Sequence, residues 1–433
     1  MKKLLNIKSP LSLLMCLVLV LGITGCTGHA TPKDAPIPSD YTYTPPPAPS
    51  SASGADAIGT ESPGTSPDVT PVESDPPEGG SSAPPYTHPE PEGPLVEYNG
   101  VVEHLFFHSA IAYPELAFDG DSREKGYDDY MVTVSEYNKM LLSMYNKGFI
   151  LVNMNDVWSE YTNDQGVVRM KKNTLMLPQG KKPLILSFDD VSYYQYMSSD
   201  GFAQKLILGE DGELWDYGVD PSGKEVISQS MDVITILDQF VRDHPDFSLG
   251  GVKGCIALTG YEGILGYRTQ TDKDDPSAAF EANRQKEIEM AKPIVARLKE
   301  TGWYFASHSW GHIGLANNSF ANVKADADRW AAEVGSLVGE TKLFIYPYGS
   351  RLDGDDVNKT GEAFKYYHSL GFRVFASVGI ESYSKIKSDI SAVICDRMHA
   401  DGVSLRNSRE RYSIFYDAPD VFDHSRPNYG TKW

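Results

Sequence analysis

Basic residues are in short supply in this chain of 433 residues: 39 lysines and arginines stand against 59 aspartates and glutamates, for a formal net charge of −20. Binding to a phosphate backbone wants a clustered basic surface, and no such patch is present, which argues against nucleic acid as a partner. Cysteine is scarcer still, with four in all. Cys255 and Cys395, the two that fall in the long C-terminal part, lie within apolar strand-like runs and read as two buried free thiols, although an oxidising exterior would permit one disulfide. Long apolar stretches are missing too. The most apolar segment, Leu11 to Leu21, is too short to cross a bilayer comfortably as a permanent helix of ~20 residues. No internal repeat is visible.

That short run follows Lys2, Lys3 and Lys8 and closes on Ile23-Thr24-Gly25-Cys26, so residues 1–25 read as a secretory leader. The four closing residues resemble a bacterial lipobox, which implies cleavage before Cys26 and lipidation of Cys26 as the mature N-terminus. The competing reading is an ordinary signal peptide with an incidental cysteine. Acyl chains would then tether the protein to the outer face of a bacterial cell membrane in place of a spanning helix. Residues 26–95 are rich in proline, serine, glycine, threonine and acids without apolar periodicity, as in Tyr43-Thr44-Pro45-Pro46-Pro47. Such a segment cannot bury enough surface to offset its ordering entropy and reads as a disordered, partly polyproline-stiffened tether. Residues 96–433 are long enough for one large domain with a sizeable core.

Within that domain apolar runs of strand length alternate with helical patterns. Strands are expected at Val101 to Phe107, Phe149 to Val152, Pro183 to Asp189, Val252 to Leu258, Trp303 to Ser307, Lys342 to Tyr346, Phe372 to Val378 and Ala392 to Cys395. Helices are expected at Thr133 to Asn146, Met231 to Arg242, Glu281 to Glu300 with a kink or fresh start at Pro293, Asn322 to Leu337 and Thr360 to Leu370. Asp156 to Gly180 reads as polar and irregular. Turn signals at Asp200-Gly201, Asp211-Gly212 and Pro221-Ser222-Gly223 mark an insertion after Asp190. Strand–helix alternation implies a parallel sheet, and seven or eight units imply closure into a distorted (β/α) barrel, an open doubly wound sheet being the alternative.

Three strand ends carry the chemistry. Pro183-Leu184-Ile185-Leu186-Ser187-Phe188 is nearly all apolar and runs into Asp189-Asp190, two carboxylates that a strand buried on both faces could not hold in its interior. They belong at its C-terminal end, where barrels build active sites; the alternative is a helix cap. Another strand ends in His308-Ser309-Trp310-Gly311-His312. Imidazoles at i and i+4 reach one ion if the segment turns helically, and Gly311 favours a tight turn. A lone pair at this spacing is otherwise surface decoration. The next strand ends in Tyr346-Pro347-Tyr348-Gly349, a rigid turn whose backbone donors could serve an oxyanion, or a plain β-turn.

Together and in this order, the three segments resemble the motifs of the polysaccharide deacetylase family, carbohydrate esterase family 4. The resemblance spans roughly His104 to Gly402. It implies Asp189 as general base, Asp190, His308 and His312 as ligands of a divalent metal, zinc first and cobalt, nickel or manganese after it, and the Tyr348 N–H as oxyanion donor. His399, in the weakly matched stretch Asp396 to Gly402, would be the catalytic acid. Tyr193, Trp310 and Pro347 would meet the sugar, with Tyr194, Tyr196, Tyr261 and Tyr348 as further aromatics near the mouth. His108, at the end of the first strand, is a rival for the mouth but reads first as a hydrogen-bonded structural histidine. Three departures stand out: Ile345 occupies the place where the family carries an arginine beside the base, the family's Asp-Trp motif is absent, and the insertion after Asp190 makes the spacing between the first and second motifs much longer than usual. Arg397, ahead of Arg268, is the expected replacement. The expected activity is metal-dependent removal of N-acetyl, less readily O-acetyl, groups from peptidoglycan or another acetylated envelope or extracellular glycan. The alternatives are a lipid-anchored glycan-binding protein that has lost turnover, and a glycoside hydrolase pairing Asp189 with an acid such as Glu262.

Overall fold

The computed structural model describes residues 87–88, 93–352, 361–387 and 390–427. The predicted leader, Cys26 and nearly all of the predicted tether lie outside the described residues. Seven strands form a ring: β1 (Glu103–Phe107), β2 (Lys182–Asp189), β3 (Cys255–Leu258), β4 (Tyr304–Ser307), β5 (Leu343–Ile345), β6 (Val374–Val378) and β7 (Ala392–His399). Each pairs in parallel with its successor, and β7 pairs in parallel with β1, so the barrel closes in chain order. Closure leaves no exposed edge in the ring, and it directs every strand's C-terminus to one mouth.

Two further strands lie beside the ring. Phe149–Leu151, expected as a barrel stave, pairs with Lys182–Leu184 at the start of β2 and otherwise makes a single bridge from Leu151 to Ser248, while β3 takes the same edge of β2 from Ser187 onward. Likewise Tyr383–Lys387 runs antiparallel to the first half of β7, while β1 pairs with Met398 and His399. The eight-residue length of β2 and β7 makes this sharing possible. β7 also extends past its expected end at Cys395. Asp396, Arg397 and His399 look like loop residues in the sequence, but each finds a charged or imidazole partner and stays in the strand.

Period-two alternation sorts the strand side chains. Ile185, Cys255, Ala257, Ala306, Leu343, Ile345, Val374, Ala376, Val393 and Cys395 form the apolar filling of the barrel, joined by Trp158, Met170, Leu175 and Leu177. Those four come from the stretch expected to be irregular. It instead folds as an antiparallel hairpin, Trp158–Thr162 with Val168–Lys172, followed by Leu175–Pro178 paired with Leu95–Tyr98. Both cysteines are free and buried in this filling, and burial pushes the Cys395 thiol up to about 12, so neither is poised as a nucleophile.

Helices cover the outside. Helix α1 (Val134–Asn146) starts at a capping box of Thr133 and Glu136 and buries Tyr137, Met140, Leu141 and Met144. Helix α2 (Val233–Asp243) follows the insertion. Helix α3 (Ala278–Glu300) begins at Ser277, whose hydroxyl accepts from the Phe280 N–H, and runs through Pro293 without a new start. The proline forfeits one backbone hydrogen bond, whereas Ala291, Ile294, Val295 and Leu298 around it are all buried and hold the helix together. Helix α4 (Phe320–Trp330) packs behind the histidine segment, and α5 (Glu362–Ser369) precedes β6. The insertion after Asp190 builds its own three-stranded antiparallel sheet, Lys205–Leu208, Leu214–Val219 and Glu225–Ser228. Its two hairpins turn at the signalled sites, with Gly212 and Gly223 at φ 74° and 82°.

Candidate active site

The mouth of the barrel is assembled from residues that leave ordinary backbone geometry as their strands end. Asp190, Ser309, His312 and Tyr348 all have φ between 49° and 62°, a region costly for residues with a Cβ and found where surrounding structure over-determines it. At β2 this turn separates two neighbouring carboxylates. Asp189 keeps the inward register of Ile185 and Ser187, while Asp190, its N–H donating to the Ala257 carbonyl at 3.2 Å, swings toward the histidines.

Asp190, His308 and His312 offer ligand atoms that all lie within 4.8 Å of one another. His312 Nε2 is 3.4 Å from Asp190 Oδ2. The other oxygen, Oδ1, accepts the Tyr194 hydroxyl proton at 2.6 Å, which leaves Oδ2 to face the imidazoles. His308 Nδ1 lies 2.9 Å from the Ile345 carbonyl. That contact assigns the proton to Nδ1 and leaves Nε2 as the donor atom. One carboxylate and two imidazoles with a fixed tautomer suit a zinc-like divalent ion with open positions. The i, i+4 spacing acts through a tight turn, with no helix in the segment. Asp326, on α4, holds that turn by accepting the Trp310 N–H at 2.8 Å and the Gly311 N–H at 2.7 Å.

Asp189 lies 2 % exposed and is clasped by Arg397 through two hydrogen bonds of 2.8 and 2.9 Å. The structure therefore places Arg397, from β7, where the sequence comparison expects a cation, while Ile345 joins the apolar filling. Arg268 is elsewhere, donating to the carbonyls of Glu262 and Tyr193. Arg397 is itself fixed by Ser187 Oγ at 3.0 Å and by the Phe106 ring, 4.0 Å from its guanidinium. Burial pushes the Asp189 carboxyl up, but the Arg397 guanidinium and then His308 outweigh it and hold the group well below the usual carboxylate range.

Facing these groups is a chain that the sequence reading missed in part. His399 Nδ1 is 2.9 Å from Asp401 Oδ2, and His399 Nε2 is 3.0 Å from His108 Nδ1. His108 Nε2 in turn lies 3.9 Å from Asp190 Oδ2. His108 thus stands at the mouth, as its place at the end of β1 allows, and is hydrogen-bonded there. Burial, followed by His399, lowers its pKa to about 4. The available signal was its position, since it ends β1 as Asp189 ends β2.

The expected sugar-contacting residues fare differently. Tyr193 is 3 % exposed, and its hydroxyl donates to Asp232 at 2.7 Å, so it presents no face to a substrate. Trp310 is half-buried: Glu333 accepts its Nε1–H, and the Arg329 guanidinium covers its ring at 3.4 Å. Pro347 is buried. Tyr348 is exposed, its ring edge-on to His312 at 4.4 Å. Tyr194, one residue along from Tyr193, reaches Asp190, and Tyr196 is exposed. Glu262 accepts the Gln195 N–H and lies 3.7 Å from Arg268.

Residues 272–374 match the family model described as polysaccharide deacetylase. The matched span contains the histidine segment and the Tyr346 to Gly349 turn. Asp189 and Asp190 lie upstream of it, beyond the insertion. The matched stretch, about a quarter of the chain, is thus similar to a polysaccharide deacetylase domain. No curated protein matches the chain. Among solved structures, the Streptococcus pyogenes deacetylase PplD in complex with acetate is similar at 12 % identity, over 71 % of this chain and 94 % of that one, with a TM-score of 0.38. A polysaccharide deacetylase from Bacillus cereus is similar at 11 % identity, over 70 % of this chain and 65 % of its own, with a TM-score of 0.37.

Proposed function

We propose that the domain is a divalent-metal-dependent deacetylase that removes N-acetyl, less readily O-acetyl, groups from peptidoglycan or another acetylated glycan outside the cell. The observation that carries this reading is the convergence of Asp190, His308 and His312 within 4.8 Å beside an ionised, arginine-clasped carboxylate. An ion bound there, zinc by the donor set, would supply Lewis acidity toward water and the acetyl oxygen. Asp189 orients the attacking water and accepts its proton. Arg397 fixes the direction of that carboxylate and keeps it ionised, at some expense of basicity. The Tyr348 N–H donates to the oxygen that gains charge on attack. The His108 and His399 imidazoles, aligned by Asp401, pass a proton to the leaving nitrogen.

The non-catalytic alternative takes its motive from Ile345 and from the weakly matched acid; the Arg397–Asp189 pair answers the first, and the His108–His399 contact supports an acid. A glycosidase is disfavoured because Asp189 is buried against a guanidinium and not poised across an open cleft. The Ile23 to Cys26 segment supports a lipid anchor at Cys26 on the outer face of a bacterial membrane. Among the described residues no helix is long and apolar enough to span one. Loss of membrane retention in Cys26→Ser is the expected outcome.

The deciding assay is acetate release from chitooligosaccharides and from peptidoglycan, with and without chelator. Metal-dependent acetate release is expected. Chain shortening that survives chelation would instead indicate a glycosidase, and binding without either product a lectin-like role.

A further inference from the structure

Three tyrosines beside the candidate metal site stack in near-parallel fashion. The Tyr194 ring lies 4.8 Å from that of Tyr261 at 18° and 5.6 Å from that of Tyr196 at 12°. Their exposures differ sharply. Tyr194 is 5 % exposed and hydrogen-bonded to both Asp190 and Thr259, whereas Tyr196 is 44 % exposed. An exposed aromatic ring on a mobile loop would need no explanation. Here the turn Gln195–Met197 is pinned on both sides: Glu262 accepts the Gln195 N–H at 2.6 Å, and Arg123 donates to the Tyr196 carbonyl at 2.5 Å. Those anchors are anchored in turn, Arg123 by Asp200 at 3.1 Å and Glu262 by Arg268 at 3.7 Å. The turn packs through Met197 and Tyr194, which are buried together with Tyr127 and Phe202 and backed by Tyr261, and the Tyr196 ring lies outside that cluster. It stands one stacked ring away from a carboxylate assigned to the metal, with charged groups at its rim.

We propose that Tyr196, backed by Tyr194 and Tyr261, is a carbohydrate-stacking subsite for a ring next to the one being deacetylated. The preferred substrate is then an oligomer or polymer of N-acetylated hexosamine, and single sugars are poor substrates. This deepens the deacetylase reading above and rests on it. The apolar face of a pyranose laid on a preorganised aromatic ring gains contact area without the entropy of ordering a loop. The same stack ends on Asp190 through the Tyr194 hydroxyl, so a chain settled on Tyr196 is registered against the metal ligand itself.

The test uses the metal-loaded protein and N-acetylglucosamine oligomers of increasing length, measuring kcat and KM for acetate release and, separately, equilibrium affinity by saturation-transfer NMR. Wild-type KM should fall as the chain lengthens. Tyr196→Ala should flatten that dependence and raise KM for the longest oligomer roughly three- to tenfold, the scale of a ring-stacking contact, with kcat less affected than KM. Tyr196→Phe and Tyr196→Trp, which keep the face and lose the hydroxyl, should restore it. A wild type indifferent to length, or a Tyr196→Ala protein with wild-type length dependence and affinity, overturns the subsite, as does a Tyr196→Phe protein as weak as Tyr196→Ala. Tyr196-dependent binding of the longer oligomers without acetate release would uphold the subsite and remove the deacetylase reading.

Discussion

Asp189 and Asp190 at the barrel mouth, and Asp216 and Asp232 where the inserted sheet meets α2, are two pairs of aspartates withdrawn from water, yet their surroundings shift their hold on a proton in opposite directions. At the mouth the burial penalty is met by cations and imidazoles, Arg397 on one carboxylate and His312 near the other. Among the described residues the second pair has no such partner. Asp216 Oδ2 accepts from the N–H groups of Met231 and Asp232 and from Thr235, and its Oδ1 is buried without a partner. Asp232 accepts from the Ala110 N–H and the Tyr193 hydroxyl. Burial, with Asp232 next, pushes the Asp216 carboxyl well above its usual range, and burial pushes Asp232 up to about 6. Buried carboxylates alone therefore do not mark chemistry. The company of a guanidinium and ring nitrogens does, and the proton-holding pair serves to pin the insertion to Ala110 and Tyr193, next to the mouth.

The largest effect should come from stripping the mouth of its partners. His308→Ala or His312→Ala leaves two protein ligands and should lose bound metal, measured by elemental analysis, together with turnover. Full metal stoichiometry in either variant would end the case for this site. The two neighbouring carboxylates should then part company. Asp189→Asn should keep the metal and lose roughly two to four orders of magnitude in rate, whereas Asp190→Asn should lose the metal itself.

Arg397→Met probes what separates the two pairs most directly, because it leaves Asp189 buried with no cation. Breaking a buried pair on one side costs about 3–5 kcal/mol, to be read by denaturant unfolding. Asp189→Asn with Arg397→Met should recover much of that loss. If Arg397→Met alone were as stable as the parent, Asp189 would not depend on its cation and the contrast with Asp216 would collapse.

A smaller effect is expected one step further out. Asp326 spends both oxygens on the Trp310 and Gly311 N–H groups, and the turn between Ser309 and His312 has a left-handed residue at each end. Asp326→Ala should loosen that turn and weaken metal affinity roughly ten- to a hundredfold, as determined by chelator competition. Excess metal should restore most of the rate, which a simple loss of folding would not allow.

The sequence displays the parts of this site that lie at the ends of apolar runs. The β2 run halted by two aspartates, the His308 and His312 pair and the barrel alternation all depend on local pattern, and the structure has them where that pattern puts them. Residues joined only by closure of the ring are hidden. His108 and His399 are 291 positions apart, and nothing near His108 announces the encounter until β7 pairs with β1. Arg397 is legible as a need, from Ile345, more than as a position, since a charged residue after Cys395 looks like loop until the barrel supplies Asp189. Tyr193 and Tyr194 differ by one residue, and the φ of 52° at Tyr193, invisible in the sequence, decides which of them turns to the core. The hairpin before β2 is hidden in the sequence because only Trp158 and Met170 of its strand positions are buried and its alternation is weak.

The smallest effect belongs to the proton-holding pair, and it should appear as a trend with pH. A carboxyl whose native pKa is raised binds its proton more tightly when folded. Its contribution to stability is therefore greatest below the ordinary value of 3.8 and is lost as pH climbs through the native value, about 6 for Asp232. The mouth aspartate Asp189, with its lowered pKa, works in the reverse sense, so the parent's own profile mixes the two and only a difference is diagnostic. Asp216→Asn keeps an oxygen for the Met231, Asp232 and Thr235 donors and places a neutral amide where the unpartnered Oδ1 stands. It removes the carboxyl that burial and the Asp232 charge push up, without touching Arg397 or the histidines. Relative to the parent, the variant should gain stability as pH rises from about 4 to about 7, by roughly 1–3 kcal/mol in all, while binding metal normally. A difference in melting temperature that stays flat over that range would mean that Asp216 and Asp232 are both ionised in the native protein, and that burial without a cation costs these carboxylates nothing.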